Sequence, residues 1–245
     1  IALAEPPTRA RADRETLALL GTPMPKRTAR GPTQPSADLH REALKTLFPY
    51  QSEERIQTYM DTVGPQALGE TINTLVVERI RLNGELSRWA LQPGAHSLSV
   101  ERELRAFISA RILECWDDQV RARVEHRGSV LDLSGLVLPD ALPTLQADFG
   151  HVVGLNLART RFKAEHADFL ASYPSLRTLD LTHNPLTHLP DTLVDLRHLE
   201  NLDLSHTLLQ LRARDVTRLK NLRYLRRLKL NHTPTRQVPD IGRMR

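Results

Sequence analysis

A single cysteine, Cys115, stands in the 245 residues, so neither an intramolecular disulfide nor a multi-cysteine zinc site can form. Aromatic residues are scarce, at 4% of the chain, and a core must be built from aliphatic side chains. No stretch reaches the roughly 18–20 consecutive apolar residues that a membrane-spanning helix needs. The opening residues IALAEPPTRA hold no apolar leader, so no signal peptide is expected, and a start at Ile1 instead of Met reads as a piece of a longer chain. HExxH, Walker-loop, GxSxG and paired-cysteine motifs are absent as well. That removes the usual footholds of metal hydrolysis, nucleotide chemistry and acyl transfer. No catalytic residue, metal-ligand set or cofactor is expected.

What the chain does have is leucine and positive charge. The formal charge is +5 and the isoelectric point about 9.7. An excess of that size is compatible with nucleic acid or an acidic partner, but more often serves solubility. Residues 1–35 read as a flexible Pro/Arg-rich segment. Pro23, Pro25, Pro32 and Pro35 interrupt any continuous helix there, leaving room for a short helix over 11–20.

Residues 36–126 carry helical periodicity and predict an α-helical domain of about four helices. Ser36 is expected to cap ADLHREALKTLF, which Pro49 stops, and Ser52 to cap EERIQTYMDTV, which Gly64 and Pro65 end. A longer helix runs to about Gln92, with Leu68, Ile72, Leu75, Leu82, Leu86 and Trp89 three, four or seven apart. Ser99 then caps VERELRAFISARILECWDDQVRARV, striped by Leu104, Ile108, Ile112, Cys115 and Trp116.

After His126 the period changes. The ladder L-x-x-L-x-L-x-x-N-x-L can be laid down five times, with Leu-x-Leu pairs at Leu131/Leu133, Leu155/Leu157, Leu179/Leu181, Leu202/Leu204 and Leu228/Leu230. The steps are 24, 24, 23 and 26 residues, within the range of leucine-rich repeats. Each pair predicts a short strand whose two leucines face inward while the residue between faces out. One repeat cannot bury its own leucines, so neighbours must stack into a parallel sheet. The fold class expected is α/β: a leucine-rich-repeat solenoid of about five repeats over 127–245, with a curved parallel sheet, its first coil covered by the helical domain. The ladder's asparagine slot holds Asn only at Asn184; Leu136, Thr160, Thr207 and Thr233 fill the others. Threonine replaces asparagine in part and leucine cannot, which marks the first repeat as irregular.

The repeats resemble those of bacterial leucine-rich-repeat proteins with LPxxLxxLxxLxxL spacing. RETLALLGTPMP, ALKTLFPYQSEERIQTYMDTVG, LNGELSRWAL and ISARILECWDD, followed by DLSGLVLPDALPTL and DFGHVVGLNL, resemble the middle of one group. These are large secreted toxin-like proteins of Gram-negative bacteria, with a dermonecrotic-toxin-like N-terminal region, a helical segment, leucine-rich repeats and a C-terminal novel ubiquitin-ligase domain. The resemblance covers about residues 11–245. It implies secretion from a Gram-negative bacterium, action in host cytoplasm, and repeats that select a host target or restrain a neighbouring ligase domain. It also implies that the catalytic cysteine lies after the repeats. The alternative is a non-catalytic fragment of a ubiquitin-protein ligase, a cysteine-dependent transferase, whose catalytic domain lies beyond residue 245. Cys115, in CWD, superficially fits the Cys-x-Asp pattern of that ligase, but on an apolar helical stripe it reads as a buried structural residue.

The expected partner is therefore a protein, bound on the concave sheet face. That face should present Asp132, Asn156, Thr178, Asp180, Asn201, Asp203, Arg227 and Lys229, acidic in the middle and basic at the end. His183, His206 and His232 share one slot in consecutive repeats and should form a row at the rim, spaced by roughly the 4.8 Å between strands. A shallow line of histidines reads as a surface or contact row more readily than as a zinc site. Residues 212–245 hold eleven Lys/Arg against two Asp. No aromatic platform interleaves them, and this disfavours nucleic acid.

Overall fold

The computed structural model of the protein describes residues 34–92 and 98–235. The Pro/Arg-rich segment and the helix expected at 11–20 lie outside these residues, save for the last two positions of the segment. Five helices precede the first strand among the described residues: α1 (Gln34–Leu47), α2 (Glu53–Val63), α3 (Leu68–Ala90), α4 (Leu98–Asp117) and α5 (Gln119–Glu125). The strands are β1 (Ser129–Asp132), β2 (Val152–Asn156), β3 (Thr178–Asp180), β4 (Asn201–Asp203) and β5 (Arg227–Lys229). Between strands the chain returns through 3-10 segments at Ala164–Ser172 and Asp191–Asp195, and through helix α6 (Ala213–Asn221).

Three helix boundaries follow from local chemistry. Ser52 is the N-cap of α2, its hydroxyl accepting the Arg55 N–H at 3.2 Å, and Gly64 ends that helix at φ 82°, a backbone angle that suits glycine. Ser36 and Ser99, expected as caps, lie inside α1 and α4 instead. The single helix expected over 100–124 bends at Asp118, which is why five helices stand where about four were expected. There the carboxylate accepts from Arg121 Nε at 2.6 Å and from the Ser129 hydroxyl at 2.7 Å, so one acid ties the end of α4 to the start of β1.

The helical core is a layer of aliphatic side chains around Trp116, which is fully buried and stacks on Phe48 with centroids 5.7 Å apart. Ile56, Leu82, Leu86, Ile108 and Ile112 fill the space between helices. That core continues into the repeats. Helix α4 packs on β1, Trp89 Nε1 donates to the Ala141 carbonyl at 2.8 Å, and His151 Nε2 lies 2.8 Å from the Cys115 carbonyl.

The five strands pair in chain order, every neighbour parallel. Leu131, Leu155, Leu179, Leu202 and Leu228 stand in register across them. The inward leucines of the first four Leu-x-Leu pairs are at most 1% exposed. Leu228 and Leu230 are only half-buried, because no further described coil covers them. The hydrogen-bond ladder runs past the strands: Leu157 N–H donates to Asp180, Leu181 N–H to Asp203, and Leu204 N–H to Lys229, each at 2.9 Å.

The asparagine slot is where polar groups enter this core. Asn184 is 2% exposed. Its Nδ2 donates to the carbonyls of Leu157 at 2.8 Å and Leu181 at 2.9 Å, and its Oδ1 accepts from the N–H groups of Phe162 at 2.8 Å and Thr160 at 3.1 Å. One side chain thus closes its own turn and the turn of the coil before. Thr160, Thr207 and Thr233 each satisfy one carbonyl three residues back, at 2.8–2.9 Å.

Two predictions come from this packing. Leu181→Ala and Leu204→Ala should each cost about 2–5 kcal/mol in urea unfolding, as buried leucine truncations do, whereas Leu228→Ala, half-buried in the last strand, should cost clearly less. The second concerns pH. Burial holds the His151 and His166 imidazoles below their ordinary value, so the unfolded chain takes up protons that the folded chain refuses. Stability should then fall as pH drops below about 6.5, the unperturbed imidazole value, and stop falling below the depressed folded-state values. Urea midpoints from pH 7.5 to 5 check this, and His151→Gln should flatten the slope.

Candidate functional site

The outward face of the sheet carries two rows of side chains. Register sets the first as Val130, Gly154, Thr178, Asn201 and Arg227, and the second as Asp132, Asn156, Asp180, Asp203 and Lys229. The face begins apolar at Val130, which is 61% exposed, and ends basic. Gly154 is required in its row, since a Cβ there would come within 2.9 Å of the Val130 side chain.

The second row has a structural duty that the sequence reading did not assign to it. Asp132, Asn156, Asp180 and Asp203 each accept, through one side-chain oxygen, the backbone N–H two residues on: Ser134, Ala158, Thr182 and Ser205, at 2.9–3.1 Å. These are Asx turns, which bend each coil out of its strand. The bond fixes the rotamer, so a partner meets carboxylates already held in place. Lys229 cannot make that bond and instead pairs with Asp203 at 3.0 Å. Burial raises the Asp203 pKa, but its bonds to Ser205 and the Lys229 ammonium outweigh that and hold it below the usual carboxylate range. Part of the negative charge expected mid-face is therefore compensated within the chain, and Asp132 and Asp180 supply the rest. Thr178, Asp180, Asn201, Asp203, Arg227 and Lys229 line a depression of about 260 Å³ floored by Leu179 and Leu202.

The histidines do form a row. The rings of His183 and His206 stack with centroids 4.2 Å apart and planes 5° from parallel, and those of His206 and His232 at 4.4 Å and 20°. All three residues have φ between 54° and 58°, as does Arg159 one coil earlier, with Gly135 at φ 75° before it. Each coil thus turns at this slot in the left-handed region, where histidine, asparagine and aspartate are tolerated better than most residues. The N–H groups at the slot continue the inter-coil ladder, with Arg159 donating to Thr182 at 2.9 Å and His206 to Asn231 at 2.8 Å. Partial desolvation, together with the flanking His183 and His232, keeps the His206 imidazole below its ordinary pKa. Parallel stacked rings do not converge their nitrogens on one point, and among the described residues no cluster of three or more His, Cys, Asp or Glu is placed to hold a metal ion.

Cys115 lies in the helical core at 7% exposure, and burial pushes its thiol up to about 12. A nucleophile needs the thiolate and access to substrate; this side chain has neither. Of the basic segment beyond Arg212, Arg218 pairs with Asp191 at 2.5 Å, tying α6 to the preceding 3-10 segment, while residues 236–245 lie outside the described chain. Among the described residues, no helix is long and apolar enough to cross a membrane.

The solved structures similar over part of this chain include two leucine-rich-repeat proteins. InlP of Listeria monocytogenes is 26% identical over 42% of this chain and 28% of its own, with a TM-score of 0.34. Human 5T4 (Wnt-activated inhibitory factor 1, trophoblast glycoprotein) is 34% identical over 34% of this chain and 31% of its own, with a TM-score of 0.30. This chain thus spans less than a third of either protein. Comparison with curated protein sequences finds no match. The leucine rich repeat family model matches residues 151–209, the stretch that holds β2, β3 and β4, and leucine-rich-repeat domains generally mediate protein–protein recognition.

Proposed function

We propose that this chain is the recognition segment of a secreted bacterial effector. The outward sheet face of residues 127–245 binds a protein: a host target, or a neighbouring ubiquitin-ligase domain of the same polypeptide that it restrains. The helical domain, 36–126, caps the first coil, and five repeats form the binding surface. The resemblance in the helical segment and repeats supports secretion from a Gram-negative bacterium and action in host cytoplasm.

One observation carries the reading. Asp132, Asn156, Asp180 and Asp203 stand in register on parallel strands, each locked by an Asx turn. A surface whose rotamers are already fixed loses little conformational entropy on binding. Its polarity runs from apolar Val130, through Asp132 and Asp180, to Arg227. A partner that fits presents donors opposite the two aspartates and a carboxylate opposite Arg227. The Arg159–His183–His206–His232 line borders the same face.

The test is the affinity of the isolated repeats-plus-helical chain for the adjoining ligase domain, or for a host protein shown to bind it directly. Asp132→Lys combined with Asp180→Lys should weaken binding by about tenfold or more, since like charges now face each other across the interface. Circular dichroism must show the double variant folded. Unchanged affinity would place the site off this face.

A further inference from the structure

The end of the solenoid beside the helical segment holds a second feature, separate from the outward sheet face. Where α5 runs into β1, a pocket of about 390 Å³ opens between helices α2 and α5 on one side and the turn before β2 on the other. Tyr59, Arg123, His126, Arg127, Asp148 and His151 line it. A Cβ on Gly128 would meet the Val153 side chain at 2.3 Å, so only glycine lets the chain pass from α5 into β1 this close to the second coil.

The electrostatics of this pocket are unbalanced. The Arg123 guanidinium sits 5.7 Å from the Tyr59 ring centroid, an orientation that steadies it without neutralising it. The nearby acids are already engaged. Glu125 pairs with Arg55 at 3.0 Å and Arg121 at 3.2 Å. Asp118 is taken by Arg121 and Ser129. Asp148, the one acid in the lining, accepts the Gly150 N–H at 2.7 Å. His151 is turned to the Cys115 carbonyl, and burial keeps it neutral further into acid than an ordinary imidazole. Arg123, Arg127 and the exposed His126 therefore line a cavity whose lining holds one carboxylate.

We infer that this pocket is a binding site for a phosphate monoester or free phosphate. Guanidinium groups bind phosphate oxygens through paired N–H donors, and two of them beside the single Asp148 carboxylate leave an excess of positive charge that a phosphate oxyanion offsets. The volume exceeds that of phosphate alone, so a phosphorylated small molecule or side chain fits better than the bare ion. Because α2, α5 and the turn before β2 all contribute, a ligand here clamps the helical segment to the first two coils.

The experiment is thermal unfolding of the whole chain with millimolar inorganic phosphate, O-phosphotyrosine, O-phosphoserine or glutarate, against potassium chloride at matched ionic strength. A ligand that binds only the folded state raises the midpoint. The phosphate compounds should raise it beyond chloride. Arg127→Gln, which leaves the Tyr59 contact alone, should weaken the fitted affinity about tenfold, and Arg123→Gln should do so as well. Arg197→Gln, on a distant coil, should leave it unchanged. A rise with inorganic phosphate equal to that of the monoesters assigns the free ion, and a larger rise with a monoester assigns the phosphorylated group. The proposal is overturned if no phosphate compound exceeds chloride, if glutarate matches them, or if the rise survives in Arg127→Gln and Arg123→Gln alike.

Discussion

Each coil of this chain is stable only because the next one covers it. A single Leu-x-Leu strand exposes one side of its leucines and one edge of its backbone, and a neighbour at strand spacing closes both at once. The gradient along the solenoid shows the dependence: leucines enclosed between coils are essentially inaccessible, while Leu228 and Leu230 in the last strand are half-buried. At the other end, helix α4 packs on β1, the Asp118–Ser129 bond ties the helical core to that strand, and Trp89 bonds the Ala141 carbonyl beyond it.

Stacking also dictates where polar chemistry can go. The inter-coil ladder continues through the turn beyond each strand, so the turn must keep the same path in every coil. An Asx bond enters it in the first four coils, and a left-handed residue leaves it in all five, at Gly135, Arg159, His183, His206 and His232 in succession. The acidic row and the histidine row therefore come from the backbone geometry of the repeat. Their availability to a partner follows from that geometry, because what fixes the turn also fixes the side chains that border it.

The inward leucines were legible in the sequence because burial imposes a period, and a period survives in one dimension. The register of Leu131, Leu155, Leu179, Leu202 and Leu228 needed nothing more. The roles of Asp180 and Asp203 were not legible as turn formers. Asp-x-Thr and Asp-x-Ser two residues apart is the available signal, and it was read only as outward charge. The Lys229–Asp203 pair was hidden because it joins residues on different coils. Ser36 and Ser99 misled because a serine before an apolar stripe signals a cap only where the backbone leaves the helix, and both helices begin earlier. The pocket beside Arg127 is assembled from three separate segments, and no local pattern announces it.

Native-state hydrogen exchange at single-residue resolution tests the dependence of each coil on the next most directly. The amides of Leu157, Arg159, Leu181 and His183, all donating across to the following coil, should exchange together as one strongly protected group, with Leu228 and Lys229 in the last strand less protected. If Arg159 and His183, which lie in turns, exchanged as fast as free loop amides while their strands stayed protected, the ladder would end at the strands. The turn path would then not be what holds the two surface rows in place.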